Sequence, residues 1–166
     1  VAAAEEFEAL YQASRDRLAG QLYALTGDSQ GAFDLVQEAF VRAWARWDRI
    51  GNYDNPEAFV RRVAFNLAKS QWRRVKRTRL HGSPPDVVSA DPDPTSRQDL
   101  VAALLTLSTR EREVIVLHYL AGQTIDEIAE DLKVPSGTVK SWLSRARVRL
   151  ADRLAVRDAE EMTQHG

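Results

Sequence analysis

The sequence of 166 residues has no cysteine and only three histidines, His81, His118 and His165, scattered along its length. Without thiols there is neither a disulfide scaffold nor thiol chemistry, and a zinc site would have to be built from carboxylates, which is uncommon. No metal and no cofactor are expected. Long apolar runs are also missing: nothing approaches the ~20 residues that a membrane-spanning helix requires, so no membrane insertion is expected. No basic stretch followed by an apolar one stands near Val1, and the chain reads as cytoplasmic. Catalytic constellations are lacking too, with no G-x-x-x-x-G-K-[ST], H-E-x-x-H or G-x-S-x-G motif and no Cys–His pair. No catalytic residue and no enzymatic activity are expected.

The composition, 44% hydrophobic and 28% charged, is that of a globular protein. Its 23 Lys and Arg nearly cancel 24 Asp and Glu, but the charges are segregated. Residues 61 to 79 carry +8 with no acid, and residues 136 to 157 carry +5, which leaves −14 for the rest of a chain whose net charge is −1. Two basic segments on an acidic background point to two contacts with a polyanion, while the acidic remainder suits a basic protein partner. A solvated helix face is the usual fate of a charge run. Here the missing acids weigh against that, because such faces normally carry i,i+4 partners.

Between the basic segments, His81 to Ser96 reads HGSPPDVVSADPDPTS, rich in Pro, Gly, Ser and Asp and without apolar period. It is a linker, 81 to 96, between two small domains, 1 to 80 and 97 to 166. Every periodic segment has helical spacing, so the fold class is all-α. Phe7, Leu10, Tyr11, Leu18, Leu22 and Leu25 form one apolar face, which Gly27-Asp28 ends. Phe33, Val36, Phe40, Ala43, Trp44 and Trp47 form a second, with Asp34, Gln37 and Glu38 outside it. Asn55-Pro56 supplies a cap and a first-turn proline for the helix that bears the first basic segment. In the second half, Ser108 to Glu111 and Thr124 to Glu127 match the capping box, Gly122 marks a stop, and Val134-Pro135-Ser136 breaks the chain before a helix from Thr138 to Leu154.

At ~100° per residue, Val60, Val63, Ala64, Leu67, Ala68 and Val75 gather on one side of the basic helix, and Arg62, Asn66, Lys69, Arg73 and Lys76 on the other. Phe65 and Trp72 fall at the border. Cations that track a backbone, with aromatics and an amide among them, suit a single strand whose bases are unstacked and held. For Phe65 or Trp72 alone, core packing is the ordinary role. Asn66 has no packing purpose in a cationic stripe, and an amide can both donate to and accept from a base edge.

In the second basic segment, Ile125, Ile128, Ala129 and Leu132 can pack against Val139, Trp142 and Leu143 across a four-residue turn, as in a helix-turn-helix. Its second helix would enter a major groove, which makes Thr138, Lys140, Ser141, Ser144, Arg145 and Arg147 the candidates for base and phosphate contacts. Ser136, as N-cap, would leave backbone N–H groups for a phosphate. Trp142 is expected to fill the core and His118 to be surface or partly buried.

These residues resemble a known family. DLVQEAFVRAWARWDRI (34 to 50), PEAFVRRVAFNLAKSQWRR (56 to 74) and LSTREREVIVLHYLAGQTIDEIAEDLKVPSGTVKSWLSRARVRL (107 to 150) are similar to regions 2 and 4 of extracytoplasmic-function (ECF) sigma factors of the sigma-70 family, with LTGD (25 to 28) and PEAFVRR resembling an actinobacterial branch. The resemblance implies a promoter-specificity subunit of RNA polymerase. Region 2 would bind the clamp of the largest polymerase subunit through Asp34, Gln37 and Glu38 and capture a flipped non-template base of the −10 element at Asn66. Region 4 would meet the flap of the second subunit and read the −35 duplex through Lys140, Ser141, Ser144 and Arg145. An anti-sigma factor that covers both basic faces is the expected regulator, and the free chain is expected to be a monomer. The family often has Arg where Trp142 stands, an aromatic or His where Ser144 stands, and Phe-Arg in the loop that here reads Asn-Tyr-Asp. The rival reading is a free-standing helix-turn-helix regulator whose N-terminal domain senses a signal or dimerises.

Overall fold

The computed structural model describes residues 1–79 and 96–164, and the linker expected over 81 to 96 lies outside the described residues apart from Ser96. All regular structure among the described residues is helical, and the chain divides into two compact units, Val1–Ala90 and Asp91–Gly166.

In the first unit, α1 (Ala2–Thr26), α2 (Ser29–Trp44) and α4 (Pro56–Arg79) pack against one another, and the one-turn α3 (Trp47–Ile50) closes the end of α2. The turn between α1 and α2 forms where the Gly27-Asp28 pair stands. Gly27 takes the left-handed conformation at φ 75°, and the Asp28 carboxylate accepts from the Gly31 N–H at 2.9 Å as the cap of α2. Asn55 likewise caps α4 through the Ala58 N–H at 3.1 Å. Leu18, Leu22, Leu25, Val36, Val60 and Ala64 are fully buried where the three long helices meet. Phe7 joins Phe40, Trp44 and Trp47 in an aromatic cluster with ring centroids 5.0–6.0 Å apart.

On α2 and α4 the buried arc is turned from the one that the apolar spacing suggests. Ala32, Leu35 and Ala39 are buried on α2, whereas Phe33 and Trp44 lie half-exposed at its edge. On α4, Val63 and Leu67 are only half-buried and Val75 is exposed, while Arg61 and Phe65 are buried at 4% and 3% exposure. Arg61 is tolerated there because Nε donates to Gln21 Oε1 at 2.9 Å and Nη2 lies 3.6 Å from Glu57. Arg17 of α1 pairs with the same carboxylate.

In the second unit, α5 (Ser96–Leu105), α6 (Thr109–Ile115) and α7 (Ile125–Leu132) pack on the long α8 (Ser136–Gln164). Ser108 and Thr124 cap α6 and α7 as expected, by accepting from the N–H groups of Glu111 at 3.2 Å and Glu127 at 3.1 Å. The return arm of each box is absent: Glu111 receives Arg149, and Glu127 accepts from the Thr124 hydroxyl. Beyond Ile115 the chain widens into a π-helical turn, Val116–Leu120, before Gly122 reverses it at φ 72°. His118 is half-buried there, with Nδ1 2.8 Å from the Gln123 carbonyl.

The turn of the helix-turn-helix is three residues long, not four, because α8 starts at Ser136. Lys133 closes α7 in the left-handed conformation (φ 57°), and the Val134 N–H bonds back to Ala129 at 3.0 Å in a Schellman arrangement. A Cβ in that conformation costs about 1 kcal/mol. Lys133→Gly should therefore raise the stability of this unit by up to ~1 kcal/mol, seen as a higher denaturant midpoint at unchanged slope.

Candidate nucleic-acid interface

The α4 stripe is built by a helix that outruns its core. From Gln71 to Arg77 every residue except Trp72 is exposed. Arg62, Asn66 and Arg73 lie exposed on the side opposite Val60, Ala64 and Ala68, with Lys76 beside them and Lys69 and Trp72 half-buried at the border. Two expectations need correction. Arg61, counted in the +8 segment, is a buried structural cation whose i,i+4 acid, Glu57, stands just before the charge run. Phe65 packs in the core, so of the two expected aromatics Trp72 alone stands half-buried next to the stripe.

The second face is α8. Val139, Leu143 and Ala146 are fully buried, and Ile128 and Ala129 of α7 are buried with them. That orientation turns Lys140, Ser141, Ser144 and Arg145 to solvent, with Thr138 half-buried one turn earlier. Arg147 is exposed but held: its guanidinium lies 5.5 Å from the Tyr119 ring centroid and Nε donates to the phenol oxygen at 2.5 Å. Ser136 is not the N-cap. The N–H groups of Thr138 and Val139 both bond to the Pro135 carbonyl, at 3.0 and 3.4 Å, which places Pro135 at the cap and Ser136 in the first turn.

A third face lies on α2, beside a groove lined by residues of α1 and α2. Asp34 and Glu38 are exposed; Glu38 pairs with Arg42 at 3.0 Å, and Asp34 accepts from Gln30 at 3.3 Å. Gln37 is half-buried and donates to the Tyr11 hydroxyl at 2.7 Å, at the edge of a groove of about 300 Å³ whose lining includes Phe7, Phe40, Val41 and Trp44. Val41, 64% exposed, and Trp44, 49% exposed, were not among the residues expected on this face. A valine at the centre of the polar arc of α2 was the signal that could have found it.

Comparison with known proteins gives these faces a common setting. A Sigma-70 region 2 family model matches residues 10–78 and a Sigma-70 region 4 model matches residues 97–150. The RNA polymerase sigma-E factor of Streptomyces avermitilis is 33% identical over 93% of this chain and 88% of its own length. The chain belongs to the ECF branch of the sigma-70 family. The ECF RNA polymerase sigma factor SigE of Mycolicibacterium smegmatis is 34% identical over 96% of this chain and 65% of its own length. Among solved structures, the sigma factor RpoE in complex with the anti-sigma factor NepR from Bartonella quintana is similar at a TM-score of 0.75 and 29% identity, covering 92% of this chain and 98% of that one. This ECF sigma factor thus carries both regions in the order its sequence motifs suggest, and the free-standing regulator is the weaker reading. Among the described residues, no helix is long and apolar enough to cross a membrane, and no cluster of His, Asp and Glu could hold a metal ion.

Proposed function

We propose that this sigma factor directs core RNA polymerase to promoters by holding an unpaired −10 strand on α4 and reading the −35 duplex with α8. The observation that carries the proposal is the presence, in one chain, of an exposed cationic helix face centred on an amide and a separate helix-turn-helix. Cations on α4 would neutralise phosphates, Trp72 would stack a base, and Asn66 would satisfy the edge of a base that has left its pair. Thr138, Lys140, Ser141, Ser144 and Arg145 would face base edges and phosphates of a major groove, with Ser136 and Arg147 on the adjoining backbone.

The exposed face of α2, with Asp34 and Glu38 on its surface and Gln37 at the edge of the apolar groove, is the surface for the clamp of the largest polymerase subunit, and the 97–166 domain meets the flap of the second. An anti-sigma factor would silence the chain by covering the basic faces. The chain acts in the cytoplasm as a monomer when free, takes no cofactor and performs no catalysis itself.

Adding the purified chain to core polymerase should produce transcripts from specific promoters, mapped by their 5′ ends on a genomic template library; core that stays silent on every promoter would contradict the proposal. On one such promoter, Lys140→Ala should weaken −35 binding by roughly 1–3 kcal/mol and relax selectivity at a single base pair, read by competition against single-base variants.

A further inference from the structure

Apolar packing is non-directional, so a helix that carries Val and Ala around much of its girth can settle over a range of rotations unless directional bonds choose one. On α4 the choice decides which side chain stands outermost. At ~100° per residue, symmetric burial of Val60, Val63, Ala64, Leu67, Ala68 and Val75 would put Arg62 and Lys69 at the crest of the outward face. The structure is turned from that by roughly 60°, because Arg61 and Phe65 are buried beside Val60, Ala64 and Ala68, which leaves Asn66 within roughly 15° of the crest. Lys69 is half-buried at the border, and Val63 and Leu67 stay half-buried. Burying an arginine while two larger aliphatic side chains remain partly wet is the poorer choice for apolar packing, so polar bonds must favour it.

Resting on the reading of α4 as the single-strand site, we infer that Arg61 and Gln21 are positioning residues, which set the rotation of α4 and so bring Asn66 to the crest. The bonds between α1 and α4 are cross-paired. On α1 a donor, Arg17, stands one turn before an acceptor, Gln21; on α4 an acceptor, Glu57, stands one turn before a donor, Arg61. Arg17 Nε donates to Glu57 Oε1 at 2.9 Å, and Arg61 Nε donates to Gln21 Oε1 at 2.9 Å. Glu57 also lies 3.6 Å from Arg61 Nη2, but it rides on α4 and would turn with the arginine, whereas Gln21, 2% exposed, holds it from another helix. Well-packed apolar residues would stabilise such a site as well as a buried cation does or better, so what the cation adds is direction. Asn66 stands about 140° around α4 from Arg61, and holding the one inward lifts the other outward.

Because the chain has no cysteine, a single introduced one can report the rotation by its rate of thiol labelling in the full chain, without polymerase or promoter. Gln21→Leu puts an apolar group where the acceptor stood and should release Arg61 and Glu57 toward solvent. In that background Lys69→Cys should label faster and Leu67→Cys more slowly than each does alone, and Gln21→Leu by itself should slow promoter opening toward the rate of Asn66→Ala. Gln21 Nε2 is buried with no hydrogen-bond partner, so Gln21→Glu removes an idle donor and offers Arg61 a carboxylate. That variant should keep the wild-type labelling pattern and opening rate. Unchanged labelling at both positions in Gln21→Leu overturns the inference, as does a shifted pattern in Gln21→Glu. Loss of cooperative unfolding in Gln21→Leu also overturns it, by making the bond a requirement of the fold. Shifted labelling with wild-type opening, where Asn66→Ala is slow, breaks the link from rotation to Asn66; wild-type opening by Asn66→Ala itself overturns the reading of the site instead.

Discussion

Replacing Asn66 with alanine should slow promoter opening by roughly 1–3 kcal/mol, about five- to 150-fold, while leaving the affinity for core polymerase unchanged. The size follows from what the amide would do: a base pulled from its stack brings polar edge atoms into a protein site, and removing the partner leaves them unsatisfied at that cost. The separation follows from geometry, since Asn66 is exposed on the outward side of α4, opposite the buried Val60, Ala64 and Ala68, whereas the groove proposed for polymerase is lined by residues of α1 and α2. Fold stability should shift by no more than ~0.5 kcal/mol, as at other exposed positions without a special role. A fluorescent base in the −10 element, followed by stopped flow, reads the opening rate. Equal opening by the variant on a matched promoter would remove Asn66 from the site.

Leu143→Ala should destabilise the second unit by about 2–5 kcal/mol. Leu143 is fully buried on α8 beside Val139 and Ala146, and the collapse of so small a core cannot be taken up elsewhere in a unit of this size. Hydrogen exchange should show the amides of α6, α7 and α8 losing protection while those of α1, α2 and α4 keep it, because the first unit has its own core around Leu18, Leu22 and Val36. Retained protection in α7 would show that the two helices do not depend on this contact.

Local chemistry explains which parts of the fold could be read from the sequence. Caps and stops at Asp28, Asn55, Ser108 and Thr124 act over three residues and appear as expected. Apolar spacing set the direction of the buried face of α4 only approximately, because Phe65 borders the Val and Ala stripe and the burial of its ring turns the helix toward it. The burial of Arg61 was hidden because Gln21, its hydrogen-bond partner, stands 40 residues away on another helix. The same rotation that buries Arg61 carries Phe65 inward, which is why one of two expected stacking aromatics is lost to the core. Lys133 and the π-helical turn at Val116–Leu120 break local rules without a sequence mark. A glycine would have announced the left-handed turn at 133, and the wider turn shows only in bonds such as Ala121 N–H to Val116 O at 3.0 Å. At the interface, the outward residues Asn66, Arg73, Lys140, Ser141 and Arg145 were legible from period and charge, whereas the groove beside Val41 depended on Phe7 and Tyr11 from another helix.

The proposed segregation of a single-strand site on α4 from a duplex site on α8 is tested most directly by photocrosslinking from one exposed position on each, Arg73 and Ser141, replaced in turn by a photoreactive residue in the polymerase-bound chain. Position 73 should crosslink to one strand of the −10 region, and only under conditions that permit opening. Position 141 should crosslink near −35 whether or not the promoter is open. Crosslinking of position 73 to closed duplex, or of both positions to the same stretch of DNA, would contradict the division of labour between the two helices.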